Sequence, residues 1–260
     1  MTALKQNSNS NYRYEVIDII RGFAVINMVA FHLIWDLVYV YRVNFQWFKG
    51  SLGFIWQQII CITFILVSGF SVSFSRKLYK RGFIVFIGGA LVSLVTFLLM
   101  PENLILFGIL TFIGSSMLVF SVLKNPLSKI NCYLGAVISV ILFVLFRNVE
   151  YGYIGIRPVL EFELPDWLYS GYISAYFGFP NRSFVSSDYF PLIPWFFLFC
   201  VGFYLYKIAE KKALLKYLRI QNLNPVFKPL LFIGKNSFFI YLVHQPVVYI
   251  LLLIIFKGIN

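Results

Sequence analysis

Residues 16–41 read VIDIIRGFAVINMVAFHLIWDLVYVY. The run is long enough, at 1.5 Å per helical residue, to cross a hydrocarbon core of about 30 Å. Working outward, comparable apolar runs recur at 53–74, 82–100, 104–123, 131–146, 190–206 and 236–256. The chain is therefore expected to be an all-α, polytopic transmembrane bundle of about seven spans, forming a single transmembrane domain over 1–260. Composition agrees, since 60% hydrophobic, 20% aromatic and only 12% charged residues lie far from the soluble globular average. A cleaved signal peptide is not expected. The first run outlasts an h-region, and no small-residue cleavage site follows Asp36.

The net charge of +12 does not read as nucleic-acid binding, because basic residues cluster between apolar runs rather than interleaving with stacking aromatics. Seven spans place alternate loops on opposite sides. One side then holds fifteen Lys and Arg and the other six, with Arg21 inside the first span completing the 22. By the positive-inside rule the amino terminus is cytoplasmic and the carboxyl terminus outside, as in a multi-pass plasma-membrane protein. The loop 147–188 falls outside. It is rich in Gly and Pro and carries Glu150, Glu161, Glu163 and Asp166, with Asp188 at its end. An interfacial or re-entrant helix is allowed there. Cys61, Cys132 and Cys200 lie in apolar runs without metal-like spacing, so neither a disulfide framework nor a metal is expected.

Charged groups inside a bilayer are expensive, about 2.5–3.5 kcal/mol each even on the lower scales, so they face a protein interior or a wet cavity. The first span holds Asp18, Arg21, Asn27, His32 and Asp36. Arg21 and His32 fall within about 20° of one helical face, roughly 16 Å apart along the axis. Asp18 with Arg21 and His32 with Asp36 are within side-chain reach of one another. An Asp one turn from a His is suited to orient a general base. The last span supplies the only other histidine, His244, followed by Gln245 and Pro246. Whether the histidines share a cavity, and whether His244 is structural or functional, stays open at this level. Small residues at 67–73 and at Gly88-Gly89 read as helix-packing sites.

Four blocks in order then carry a resemblance: Glu15 to Gly22 with Phe31 to Asp36; Phe107 to Gly114; Gly178 to Pro180 with Ser187 to Trp195; and Ile233 to Ser237 with Ile240 to Pro246. Together they resemble the membrane acyltransferase family that includes heparan-alpha-glucosaminide N-acetyltransferase, in its short bacterial branch. The Arg21–His32 spacing is also similar to that of the wider acyltransferase-three superfamily, where a first-helix histidine is catalytic. Thr111 stands where the second block of the family leads one to expect His. The resemblance implies that an acetyl group from cytoplasmic acetyl-CoA reaches a hydroxyl or amine, on a glycan or other polar acceptor, at the outer face. It further implies His32 and Asp36 as catalytic, and Arg21, Arg76, Lys80 and Lys235 as donor-binding. Asp18, Asn236, His244, Gln245 and Asp188 are candidate substrate-binding or supporting residues. The rival reading is a proton-coupled transporter or flippase of a lipid-linked or small polar substrate. The absence of an internal repeat counts against it. The expected partners are the lipid bilayer, the acyl donor and the acceptor, with no nucleic acid. The sequence leaves monomer and homo-oligomer open.

Overall fold

The computed structural model describes residues 14–220 and 222–257. Lys5 and Arg13, counted above, lie outside them. The helices are α1 (Glu15–Tyr39), α2 (Gln46–Lys49), α3 (Ser51–Ser71), α4 (Leu78–Leu99), α5 (Ile109–Lys129), α6 (Cys132–Phe146), α7 (Tyr172–Phe177), α8 (Leu192–Lys211), α9 (Lys228–Lys235) and α10 (Ser237–Lys257). Seven are long and apolar enough to cross a membrane, namely α1, α3, α4, α5, α6, α8 and α10. Each predicted span has its helix.

The fourth span departs most, because α5 starts at Ile109 rather than near 104 and continues to Lys129 through Pro126. Leu104 to Phe107 are withheld from the helix by the chain that precedes α8. Ser187 N donates to Leu104 O at 2.9 Å, Phe190 N to Phe107 O at 2.9 Å, and Leu106 N to Ser186 Oγ at 2.9 Å. Those hydrogen bonds occupy the groups that another helical turn would need.

Small residues decide how closely the spans approach. A Cβ on Gly69 of α3 would overlap the Phe199 carbonyl of α8, and one on Gly202 of α8 would overlap Leu66 O of α3. The expected packing role of Gly69 and of Gly89, which lies against Thr111 of α5, is thus met. A third crossing pairs α1 with α9, where Gly22 meets Leu230 O and Gly234 meets Asp18 O. The core gathers around α8, where Phe199 and Phe203 pack on Phe120 of α5, with Phe112 and Tyr204 in the same buried cluster. Half of the apolar window of α8 is buried, 50%, against 17% for α10, so α10 lies at the rim of the bundle.

Alternation of the spans gathers α1's start, the α3–α4 and α5–α6 connections and residues 212–236 at one end, called here the basic end. At the opposite end, residues 147–191 form a cap. It includes one short α-helix, α7, in the loop where the sequence allowed an interfacial or re-entrant helix. The sequence reading did not anticipate its antiparallel hairpin, β1 (Tyr153–Ile156) with β2 (Leu160–Glu163), paired from Tyr153↔Glu163 to Ile156↔Leu160.

Candidate functional site

α1 and α10 run side by side in the same direction. The Gly22–Gly234 crossing is followed by His32 beside His244, then Asp36 beside Gln245, and last by Tyr41 stacked on Phe256 at 4.2 Å. α9 and α10 thus follow α1 upward, turning at Asn236, whose carbonyl accepts from Ile240 N while its amide returns to Phe232 O at 2.8 Å. That turn brings the two histidines together. Their ring centroids are 4.9 Å apart, inclined at 54°.

The two rings are held differently. His244 is buried, and its Nδ1 lies 2.6 Å from the Tyr241 carbonyl oxygen. A carbonyl only accepts, so Nδ1 carries the proton in the neutral ring and Nε2 keeps its lone pair. That Nε2 is buried with no partner among the described residues. His32 is half-buried, with neither ring nitrogen hydrogen-bonded among the described residues. Phe31 meets His32 edge-on at 5.9 Å, and Phe31 in turn packs on Phe48 and Trp56, closing that side with aromatic surface.

Asp36 does not orient His32 as the i, i+4 spacing suggested. Its carboxylate is fully buried and accepts from Gln245 Nε2 at 2.9 Å and 3.1 Å. A neighbour on another helix wins over one on its own because a single amide N reaches both carboxylate oxygens, and a buried carboxylate needs donors most. Asp36 is therefore a tie between α1 and α10, one residue beyond His244. Asn27 is likewise structural, accepting from Trp56 Nε1 at 3.0 Å.

At the basic end Arg21 bonds Asp18 and donates to Ser71 Oγ at 2.9 Å, fastening α1 to α3. The ion pair read from the sequence is present, and it points Arg21 into the protein. Arg76 and Lys80 are exposed around the start of α4, and Lys235 is exposed at the end of α9. Beside Arg76, the buried hydroxyls of Ser73 and Ser75 have no partner among the described residues. Ser73 falls in the 67–73 stretch read from sequence as packing, and Ser75 was not singled out.

At the cap end Asp188 Oδ2 accepts from Ile109 N at 3.1 Å, capping α5 from a distant part of the chain. Burial pushes its carboxyl up to about 6, against the pull of that N–H. The Tyr241 ring packs 5.3 Å from His244. Tyr241 was missed from the sequence, although its i, i+3 spacing to His244 was a usable signal. Over the cap residues lies a cavity of about 860 Å³, and beneath it a second of about 370 Å³ floored by Asp188, Phe190 and Trp195. Asn236 and Lys235, taken up by the α9–α10 corner and solvent, do not reach the histidines.

No group of three or more His, Cys, Asp or Glu placed to hold a metal ion occurs among the described residues. No curated protein and no solved structure matches the chain. A family model described as heparan-alpha-glucosaminide N-acetyltransferase, catalytic, matches residues 13–246.

Proposed function

Because the chain belongs to the heparan-alpha-glucosaminide N-acetyltransferase catalytic family, we propose that it is a transmembrane acetyltransferase working between a donor at the basic end and an acceptor at the cap end. The observation that carries this reading is the histidine pair. Two imidazoles in contact at 4.9 Å, one with an Nε2 that has no partner among the described residues, give the bundle a proton acceptor where lipid and packing alone would favour apolar side chains.

In this scheme the basic end faces the cytoplasm, following the positive-inside rule, and receives acetyl-CoA. Arg76, Lys80 and Lys235 meet its phosphates, and the orphaned Ser73 and Ser75 hydroxyls beside Arg76 fit a ligand rich in acceptor oxygens. Arg21, held by Asp18 and Ser71, stays on the α1–α3 seam in this scheme and is not assigned to the donor. His32, the more accessible ring, removes the proton from the acceptor hydroxyl or amine as that atom bonds to the thioester carbonyl carbon. The C–S bond then breaks, and the departing thiolate takes a proton from the histidine pair. His244, with Nδ1 anchored on Tyr241, shares that proton through Nε2. Asp36 and Gln245 set the distance between the helices that carry the two rings.

The test uses proteoliposomes of known orientation with radiolabelled acetyl-CoA and an acceptor glycan pool. Transfer is expected only when donor is supplied at the face bearing the amino terminus, and His32→Ala should abolish it while leaving thermal stability within a few degrees. Equal transfer from either face, or full activity in His32→Ala, would sink the proposal.

A further inference from the structure

We propose that the outer face of α6, together with the end of α8, binds an anionic phospholipid at the basic end, its phosphate held by Lys211 and Lys212 and its acyl chains lying along α6. The inference needs only that α6 and α8 cross the membrane, and it is independent of the acetyltransferase reading. α6 has two unlike faces. Cys132, Gly135 and Ser139 are buried, and a Cβ on Gly135 would overlap the Tyr204 ring of α8. Tyr133, Val137, Ile141 and Val144 are exposed and, at 100° per residue, fall within about 80° of one another. At 1.5 Å per residue this apolar stripe is about 16 Å long, close to half of a hydrocarbon core of about 30 Å, which is the depth that one leaflet's acyl chains reach.

The group at the head of the stripe sets it apart from the other lipid-facing helices. The Lys211 and Lys212 ammoniums converge on the Tyr133 ring, at 5.1 Å and 5.8 Å from its centroid. The negative face of the ring draws them to one place against their mutual repulsion. Tyr133 is itself fixed at the start of α6, where its backbone N–H donates to Asn131 Oδ1 at 3.0 Å. Neither lysine has an ion pair among the described residues. Glu210, the neighbouring carboxylate in the chain, accepts from Tyr206, whose ring packs on Phe70 of α3 and on Phe74. Lys129 adds a third exposed cation at the α5–α6 corner. Two convergent ammoniums directly above an apolar stripe match a phosphate carried on acyl chains. A zwitterionic headgroup brings its own cation into that field, so an anionic one is preferred. A soluble phosphate would leave the stripe unused. The pair also belongs to a different helix couple from the residues assigned to the donor, since α6 packs on α8, whereas α4 packs on α5 and α9 on α1.

Native mass spectrometry of the full chain in detergent, titrated with phosphatidylglycerol or with phosphatidylcholine of the same acyl chains, tests the site. Phosphatidylglycerol should bind at least fivefold more tightly. Lys211→Gln with Lys212→Gln should bring the two lipids to within twofold of each other, while Lys211→Arg with Lys212→Arg should keep the preference. Lys77→Gln with Lys228→Gln removes the same charge elsewhere at the basic end and should leave the preference unchanged. All four lysines are exposed, so these variants keep the fold. Equal binding of the two lipids by the wild type, a preference unmoved by the glutamine pair at 211 and 212 or lost in the arginine pair, or an equal loss in the Lys77 and Lys228 control would each overturn the proposal. Displacement of phosphatidylglycerol by equimolar glycerol 3-phosphate or acetyl-CoA would overturn it too, by making this a site for soluble phosphates.

Discussion

Gln245 places one amide nitrogen against both oxygens of a fully buried Asp36, and the consequences of removing it can be assigned a size. Gln245→Leu leaves the buried carboxyl without a donor, which costs about 1–3 kcal/mol. The expected result is a lower unfolding midpoint in detergent. Asp36→Asn, which keeps an acceptor for Gln245, should lose less, and equal losses would refute the tie. Asp188 makes a pH-dependent prediction. Its folded-state value, raised from 3.8 to about 6, means that the folded chain binds this proton more readily than the unfolded chain does. Its contribution to stability is therefore greatest below about 4 and declines as pH rises toward 6. Asp188 is partly exposed, and solvent screening limits the effect to about 1 kcal/mol. Between pH 7 and 4.5 the wild type should gain midpoint relative to Asp188→Asn, and parallel curves would contradict the assignment. At this scale the sequence marked His32, Asp36, His244, Gln245 and Asp188 as unusual, because polar groups in or beside apolar runs carry their own signal. It could not show that Asp36 turns away from His32 to Gln245, since that depends on a helix more than 200 positions away.

Among the elements, the α1–α9 crossing is the most sensitive, since Gly22 and Gly234 each face the other helix's backbone carbonyl. Gly234→Ala must push α9 off α1, and with it the α10 histidine that follows. Overpacking of this kind costs about 1–3 kcal/mol. The expected outcome is reduced transfer together with a lower midpoint, whereas Gly171→Ala, with open space around it, should change neither. The start of α4 yields a kinetic prediction that belongs to the proposed donor site. Charge-neutralising Arg76→Gln or Lys80→Gln should raise the donor KM more than it lowers kcat, because phosphate anchoring is nearly uniform between ground and transition states. The wild-type KM should also rise with salt, as screening acts over about 8–10 Å. A fall in kcat at constant KM would move these residues away from phosphate binding. Span number and order were legible from hydropathy alone, whereas the start of α5 was not, because Ser186 to Phe190 claim the backbone groups of Leu104 to Phe107.

At the scale of the whole molecule the proposed orientation is open to labelling. In a background where the three buried cysteines remain, a cysteine at Ser187 should react with an impermeant reagent on intact cells and one at Lys77 only after permeabilisation. The opposite pattern would invert the bundle and the donor route together. Length, composition and the sign of the loops were enough to determine a seven-span helical bundle, for a physical reason: within hydrocarbon each span must satisfy its own backbone, so its identity is written locally. The polar positions were determined with equal directness, because the cost of placing them there makes them stand out from every neighbour. What the tertiary structure alone decided is which of those positions meet. The histidine pair exists because α9 turns at Asn236 and lifts α10 alongside α1. The cap hairpin and its cavities exist because residues 147–191 fold over the bundle's end. Pairing across helices is set by packing of small residues and by buried hydrogen bonds between distant parts of the chain, and neither leaves a periodic trace in the local sequence.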